Sequence, residues 1–146
     1  MLSSHFSETE LGVLGVEQRL VDNAAFLCTT LLEPIRAFYA RPVWIHDGYR
    51  DPGHNSRVGG KPTSFHLFSD GRAAADFSVP GISIKDTFDW IRLHSGLKFD
   101  KVILESNANG LPATVHIQID RLNPPRRQAF TGSTGAGTVY TSVEVR

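Results

Sequence analysis

The sequence predicts an α+β fold, a small antiparallel sheet with flanking helices. Three observations carry this prediction. From about Asn23 to Ala40, Leu27, Leu31, Ile35 and Tyr39 recur at steps of four, the stripe of an amphipathic helix. Lys101–Glu105 and Thr114–Ile119 have the apolar and β-branched content of strands, and the Asn109-Gly110 pair between them is a strong hairpin signal. A further helix is signalled after Ser83. Helices interspersed with antiparallel strands around one small sheet define the class.

Taken in order, Ser7-Glu8-Thr9-Glu10 has the form of a capping box and predicts a short first helix. The long helix over 23–40 follows, then a short strand at Val43-Trp44-Ile45 that stops at Asp47-Gly48. Residues 50–64, RDPGHNSRVGGKPTS, are dense in Gly, Pro, Asn and Ser and predict a loop. Ala73–Val79 is a buried strand. Ser83 caps a helix running to about His94, with Asp86 favourable in its first turn. A two-residue turn at Asn109-Gly110 would set Ile103 opposite His116 and Glu105 opposite Thr114. Beyond Asp120, the Pro-, Arg- and Gly-rich segment 121–137 precedes a last strand within 138–145. The whole reads as one domain, residues 1–146, with a core over about 5–120 and a C-terminal extension over 121–146.

A chain of 146 residues is long enough to bury one real core. Its 15 basic and 15 acidic residues cancel, so no basic face announces nucleic acid or an anionic membrane. With Cys28 its single cysteine, the chain has no internal disulfide. Residues 1–5 lack the pattern of a signal peptide, and no apolar stretch approaches membrane-spanning length. The expectation is synthesis in the cytoplasm without membrane insertion.

Chemistry concentrates in a few positions. Asp76 follows Ala73-Ala74-Ala75 and precedes Phe77, so a carboxylate enters a segment that should be buried. Burial of that charge is costly without a partner, and a metal ion is one such partner. Alternation puts Val115, Ile117 and Ile119 on one face of their strand and Thr114, His116 and Gln118 on the other. Glu105 becomes a diagonal neighbour of His116 across the hairpin. His66, on a polar loop, completes a set of two imidazoles and one carboxylate, a sound three-ligand zinc site with a fourth position left for water. A nearby carboxylate such as Glu105 can take a proton from that water.

Three ordered blocks sharpen this picture. The first is Gly48-Tyr49-Arg50, His54-Asn55, Val58-Gly59-Gly60 and Ser64-Phe65-His66. The second is Gly71 with Ala73-Ala74-Ala75-Asp76-Phe77. The third is Phe99-Asp100-Lys101-Val102-Ile103-Leu104-Glu105 followed by Val115-His116-Ile117. In these blocks the chain resembles the zinc D-Ala-D-Ala carboxypeptidase and phage endolysin family, with the Hedgehog/DD-peptidase fold. The resemblance implies that His66, Asp76 and His116 bind Zn²⁺. It implies that Arg50 faces substrate and holds a terminal carboxylate or a developing oxyanion, the alternative being a salt bridge that pins the 50–60 loop. Ser64 orients the loop or contacts substrate. Glu105 is the base or supports the ligands, in place of the acid that several relatives carry where Ala113 stands here.

The implied activity is hydrolysis of an amide bond in bacterial peptidoglycan peptide, by a phage lysis or virion-delivered enzyme whose other partners are virion proteins. The alternative is a non-catalytic phage structural or cell-wall-binding module that keeps the fold. One departure stands out. Between His66 and Asp76 the chain is longer than the pattern S-x-H-x-x-G-x-A-x-D allows. The expectation is that the extra residues loop out, with Phe68 as an apolar lid and with Ala74 and Phe77 packed in the core. Asp70 is the second-choice ligand. His54 is a cleft or turn residue.

Overall fold

Ser7 opens the first helix as its capping box predicts. Its hydroxyl accepts from the Glu10 amide, Glu10 reaches back to the Ser7 amide, and α1 runs Glu8–Leu11. The computed structural model describes residues 1–133 and 138–146. The part of the 121–137 segment from 134 to 137 lies outside them.

The amphipathic stripe forms a continuous helical run that starts earlier than its spacing predicts. It comprises α2 (Gln18–Leu27), one π-turn (Cys28–Leu32) and α3 (Glu33–Tyr39). The start was hidden because Glu17, at the N-cap, makes no side-chain hydrogen bond. The π-turn has a local cause. Pro34 has no N–H for the ladder and its ring crowds the preceding turn, so the hydrogen-bond spacing widens just before it. Leu27, Leu31 and Ile35 are fully buried, as the stripe demands.

β1 (Trp44–Asp47) follows. The segment 50–64 is not all loop. Asp51 caps a helix, α4 (Pro52–Arg57), by accepting from the His54 amide, and Pro52 stands at its start, where a missing N–H costs nothing. A 3₁₀ turn, Phe65–Leu67, carries His66. Then come β2 (Arg72–Ser78), α5 (Ile84–Leu93), capped by Ser83, β3 (Lys101–Ser106) and β4 (Pro112–Asp120). The chain beyond Asp120 adds two strands, β5 (Gln128–Ser133), which was not foreseen, and β6 (Thr141–Val143). Among the described residues the six strands form one sheet in the order β1-β2-β4-β3-β5-β6. All neighbours are antiparallel except β3 and β5, which run parallel. The fold is therefore α+β. None of the helices among the described residues is long and apolar enough to cross a membrane.

The β3–β4 register matches the expectation, with Ile103 opposite His116 and Glu105 opposite Thr114. The turn does not. A type I′ turn needs positive φ at both central residues, and of Asn109 and Gly110 only Gly110 has it, at 78°. Asn107 instead closes a longer loop, its amide donating to the Leu111 carbonyl and its Oδ1 accepting from Asn109 and Leu111. The register then shifts between Glu105 and Ser106. This irregularity offsets the longer loop, so His116 keeps its predicted face.

One face of the sheet packs under α2 and α5. Ala73, Ala75 and Phe77 of β2 join Val102, Leu104, Val115, Ile117 and Ile119 in the core. Ala74 does not share this face with Phe77. It is buried beside Asp76 on the opposite side, as the two-residue period requires. Phe68 is not a lid either. It is fully buried in the core, meets the Tyr49 ring edge-on, and its carbonyl accepts from Asn23. The longer connection is absorbed by the 3₁₀ turn and a tight turn in which the Arg72 amide bonds the Ser69 carbonyl. Phe68 and Asp70 each have φ of 54° and Gly71 76°. Phe68→Ala is expected to cost about 3–5 kcal/mol, as loss of a buried phenyl does. Urea unfolding of the metal-free protein measures it, and a cost under about 1 kcal/mol would remove Phe68 from the core.

Candidate metal centre

His66, Asp76 and His116 meet on the face of the sheet turned away from the helical core. Asp76 and His116 are direct cross-strand partners on β2 and β4. His66 reaches them from its 3₁₀ turn, which Ser64 caps by accepting from the His66 amide. Ser64 thus orients the loop. The Arg50 amide donates to the His66 carbonyl at 2.7 Å, tying the two segments together.

Each of the three side chains offers one ligand atom, and these lie within 4.8 Å of one another. His66 Nε2 is 3.4 Å and His116 Nδ1 2.9 Å from Asp76 Oδ1. A tetrahedral ion about 2.0–2.1 Å from its ligands spaces them by roughly 3.3 Å, so the cluster matches that scale. The outer nitrogens fit as well. His66 Nδ1 donates to the Gly48 carbonyl at 2.7 Å. His116 Nε2 donates to Gln118 Oε1 at 2.7 Å, because the amide nitrogen of Gln118 is committed to Asp100 at 2.6 Å. Both imidazoles therefore turn a lone-pair nitrogen toward Asp76 once deprotonated there, the arrangement by which proteins orient metal-binding histidines. The donor set fits a divalent metal.

Burial alone would raise the Asp76 carboxyl. Hydrogen bonds from His116 and His66 and their positive charge overcome this and hold it well below the usual carboxylate range. Burial opposes charge on His116, yet Asp76 and Gln118 raise it above its ordinary 6.5. Glu105 lies on the same face and is raised above 4.5, first by burial and then by the negative charge of Asp76, against the pull of His116, His66 and Arg50. Arg50 has both candidate functions in view. Its Nε bonds Asp47 at 2.6 Å and its Nη2 lies 3.8 Å from Asp76. Asp70 is exposed in its turn and outside the cluster, and His54 is exposed on α4. Cys28 is buried in the core, its thiol pushed up to about 12 by burial, and lies outside the cluster.

Two features were not anticipated. Gln118 and Asp100 are buried, and Arg126 grips both oxygens of Asp100 at 2.6 and 2.8 Å. A chain Arg126–Asp100–Gln118–His116 thus backs the centre. Tyr140 also borders it. Gly132, the β5 partner of Glu105, leaves open the space that the Tyr140 ring fills. Burial and the charges of Glu105 and Asp76 push the Tyr140 phenol upward.

The donor set and the supporting shell define a candidate site for a divalent metal ion. Comparison with known protein families matches residues 4–109 to the peptidase M15 family, and the chain belongs to that family. The matched span holds Arg50, Ser64, His66, Asp76 and Glu105 and ends before His116. No curated protein is similar enough to be matched.

Gln118→Leu removes the acceptor that turns His116 and is expected to lower metal affinity by about 10–100-fold. Co²⁺ titration followed by visible absorption reads this, and unchanged affinity would deny the chain its orienting role. His116 must also lose its Nδ1 proton to bind a metal. With that proton held by Asp76, metal affinity is expected to rise with pH through and above 6.5, with proton release on binding. An affinity flat across that range would contradict it.

Proposed function

We propose that the protein is a zinc metallopeptidase that hydrolyses amide bonds involving D-amino acids in bacterial peptidoglycan peptide, as a D-Ala-D-Ala carboxypeptidase or an endolysin-type endopeptidase. The observation that carries this is the convergence of His66, Asp76 and His116, with Glu105 on the same face, in a chain of the peptidase M15 family. The substrate class rests on the motif resemblance in the sequence. So does the setting, a phage lysis or virion-delivered enzyme that acts on the cell wall.

His66, Asp76 and His116 would hold Zn²⁺, which when bound acidifies a water molecule and polarises a carbonyl. Glu105 accepts a proton from the attacking water and delivers it to the leaving amine. A carboxyl raised above its ordinary value by burial is suited to both steps. Arg50, held at Nε by Asp47, presents the rest of its fork to a substrate carboxylate or to the oxygen on which charge develops. Ser64 fixes the loop that carries His66.

Elemental analysis of the purified protein and release of amines from purified peptidoglycan test this together. Near-stoichiometric zinc with hydrolysis is expected, and His116→Ala should abolish the zinc. A folded protein with no zinc and no hydrolysis would be the non-catalytic cell-wall-binding or virion module instead. Glu105→Gln should keep fold and zinc while turnover falls by roughly a hundredfold or more. Turnover near that of the parent would move the role of base to another group.

A further inference from the structure

Along the same face of the sheet from the metal centre lies a cavity of about 250 Å³. That is below the usual volume of a pocket for a drug-sized ligand and suits a single residue. Phe65, next to His66, and Pro124 form apolar walls, and Arg72, Arg126, Asp100 and Asp120 supply its charges. Formal charge in it balances, but hydrogen-bonding capacity does not. Asp100 is filled by Arg126 at both oxygens and by Gln118. Asp120 accepts from the Leu122 amide at one oxygen and from Asn123 at the other. The acceptors are thus supplied.

Donors are left over. Arg72 Nε is buried with no hydrogen-bond partner, its nearest carboxylate oxygen being 3.7 Å away on Asp120. Its guanidinium is held over the Phe65 ring at 4.9 Å, which fixes its position without using its N–H groups. The side chain as a whole is 35% exposed and lines the cavity, so the outer end of its fork is open to an incoming anion. A planar fork held in place is suited to a carboxylate.

We propose that this cavity is a carboxylate-binding subsite for the peptide substrate, with Arg72 as its anchor. The proposal rests on the peptidase reading and adds a specificity to it. Arg72 and Asp76 share one face of β2, four residues apart, so the anchor lies about 14 Å along the strand from the metal centre. An extended peptide covers that distance in about four residues. The subsite therefore selects an acidic residue a few positions from the bond that is cut.

The test uses the zinc-loaded protein and two synthetic peptides, acetyl-Glu-Ala-Lys-D-Ala-D-Ala, whose acidic residue is the fourth before the scissile bond, and the same peptide with the Glu carboxylate converted to its carboxamide. Calorimetry measures affinity, and amine release in the same samples measures hydrolysis and KM. The carboxylate form is expected to bind at least about tenfold more tightly, or to show a KM lower by that factor with kcat little changed. Arg72→Met, which keeps the stem against Phe65, should erase the preference while leaving zinc content and carboxamide affinity unchanged. Arg72→Lys should restore part of it. Equal affinity for the two peptides, no measurable binding of the carboxylate form, or a preference that survives Arg72→Met would each overturn the subsite. Hydrolysis without preference would remove the subsite and leave the peptidase standing. Preference without hydrolysis would do the reverse.

Discussion

The Asp76 carboxylate, sunk into the sheet, is the constraint around which the rest is arranged. Left alone, a buried anion would take up a proton or unfold its surroundings. Here it is met by two imidazoles, one presented by the neighbouring strand and one by a separate turn. Each imidazole is in turn fixed from behind, one by a backbone carbonyl and one by a glutamine amide. The segment from Gly48 to Gly71, which looks irregular in sequence, is therefore under tight demand. It must bring a carbonyl, an arginine and a histidine to one point, and α4, the Ser64 cap and the Arg50–His66 backbone bond serve that end.

Much of this was legible beforehand because it depends on local periodicity. A strand of period two fixes which side chains share a face, so His116 could be separated from Ile117 by sequence alone. The same rule, applied strictly, would have separated Ala74 from Phe77. The capping boxes and caps at Ser7 and Ser83 were legible for the same reason, since a cap is a matter of three or four neighbouring residues. Asp51-Pro52 carried a similar signal for α4, masked by the Gly and Asn around it. The π-turn and the early start of α2 have no sharp local signature, and neither does β5, whose place is set by a parallel partner in the middle of the sheet.

Long-range polar pairing was the part that could not be read. Asp100, Gln118 and Arg126 lie on three different segments, and nothing in their spacing says that a carboxylate at the foot of β3 will accept from an amide on β4 and a guanidinium beyond it. The consequence is that the chain after Asp120 is joined to the metal centre by hydrogen bonds as well as by strand pairing. Tyr140 shows the same thing from the other side, since its place beside Glu105 depends on an absent side chain at Gly132.

The tight turn at Ser69–Arg72 has a bearing on how such a chain can change length. Within it, between Ser69 and Gly71, residues can be gained at small entropic cost, because the 3₁₀ turn that carries His66 and the strand that carries Asp76 both lie outside it. Behind it there is no such freedom. One residue inserted between Arg72 and Asp76 would rotate the carboxylate into the apolar layer under the helices and offer an alanine to the two histidines. Insertions in this region are thus sorted by position, absorbed inside the turn and disruptive to the centre once the strand has begun.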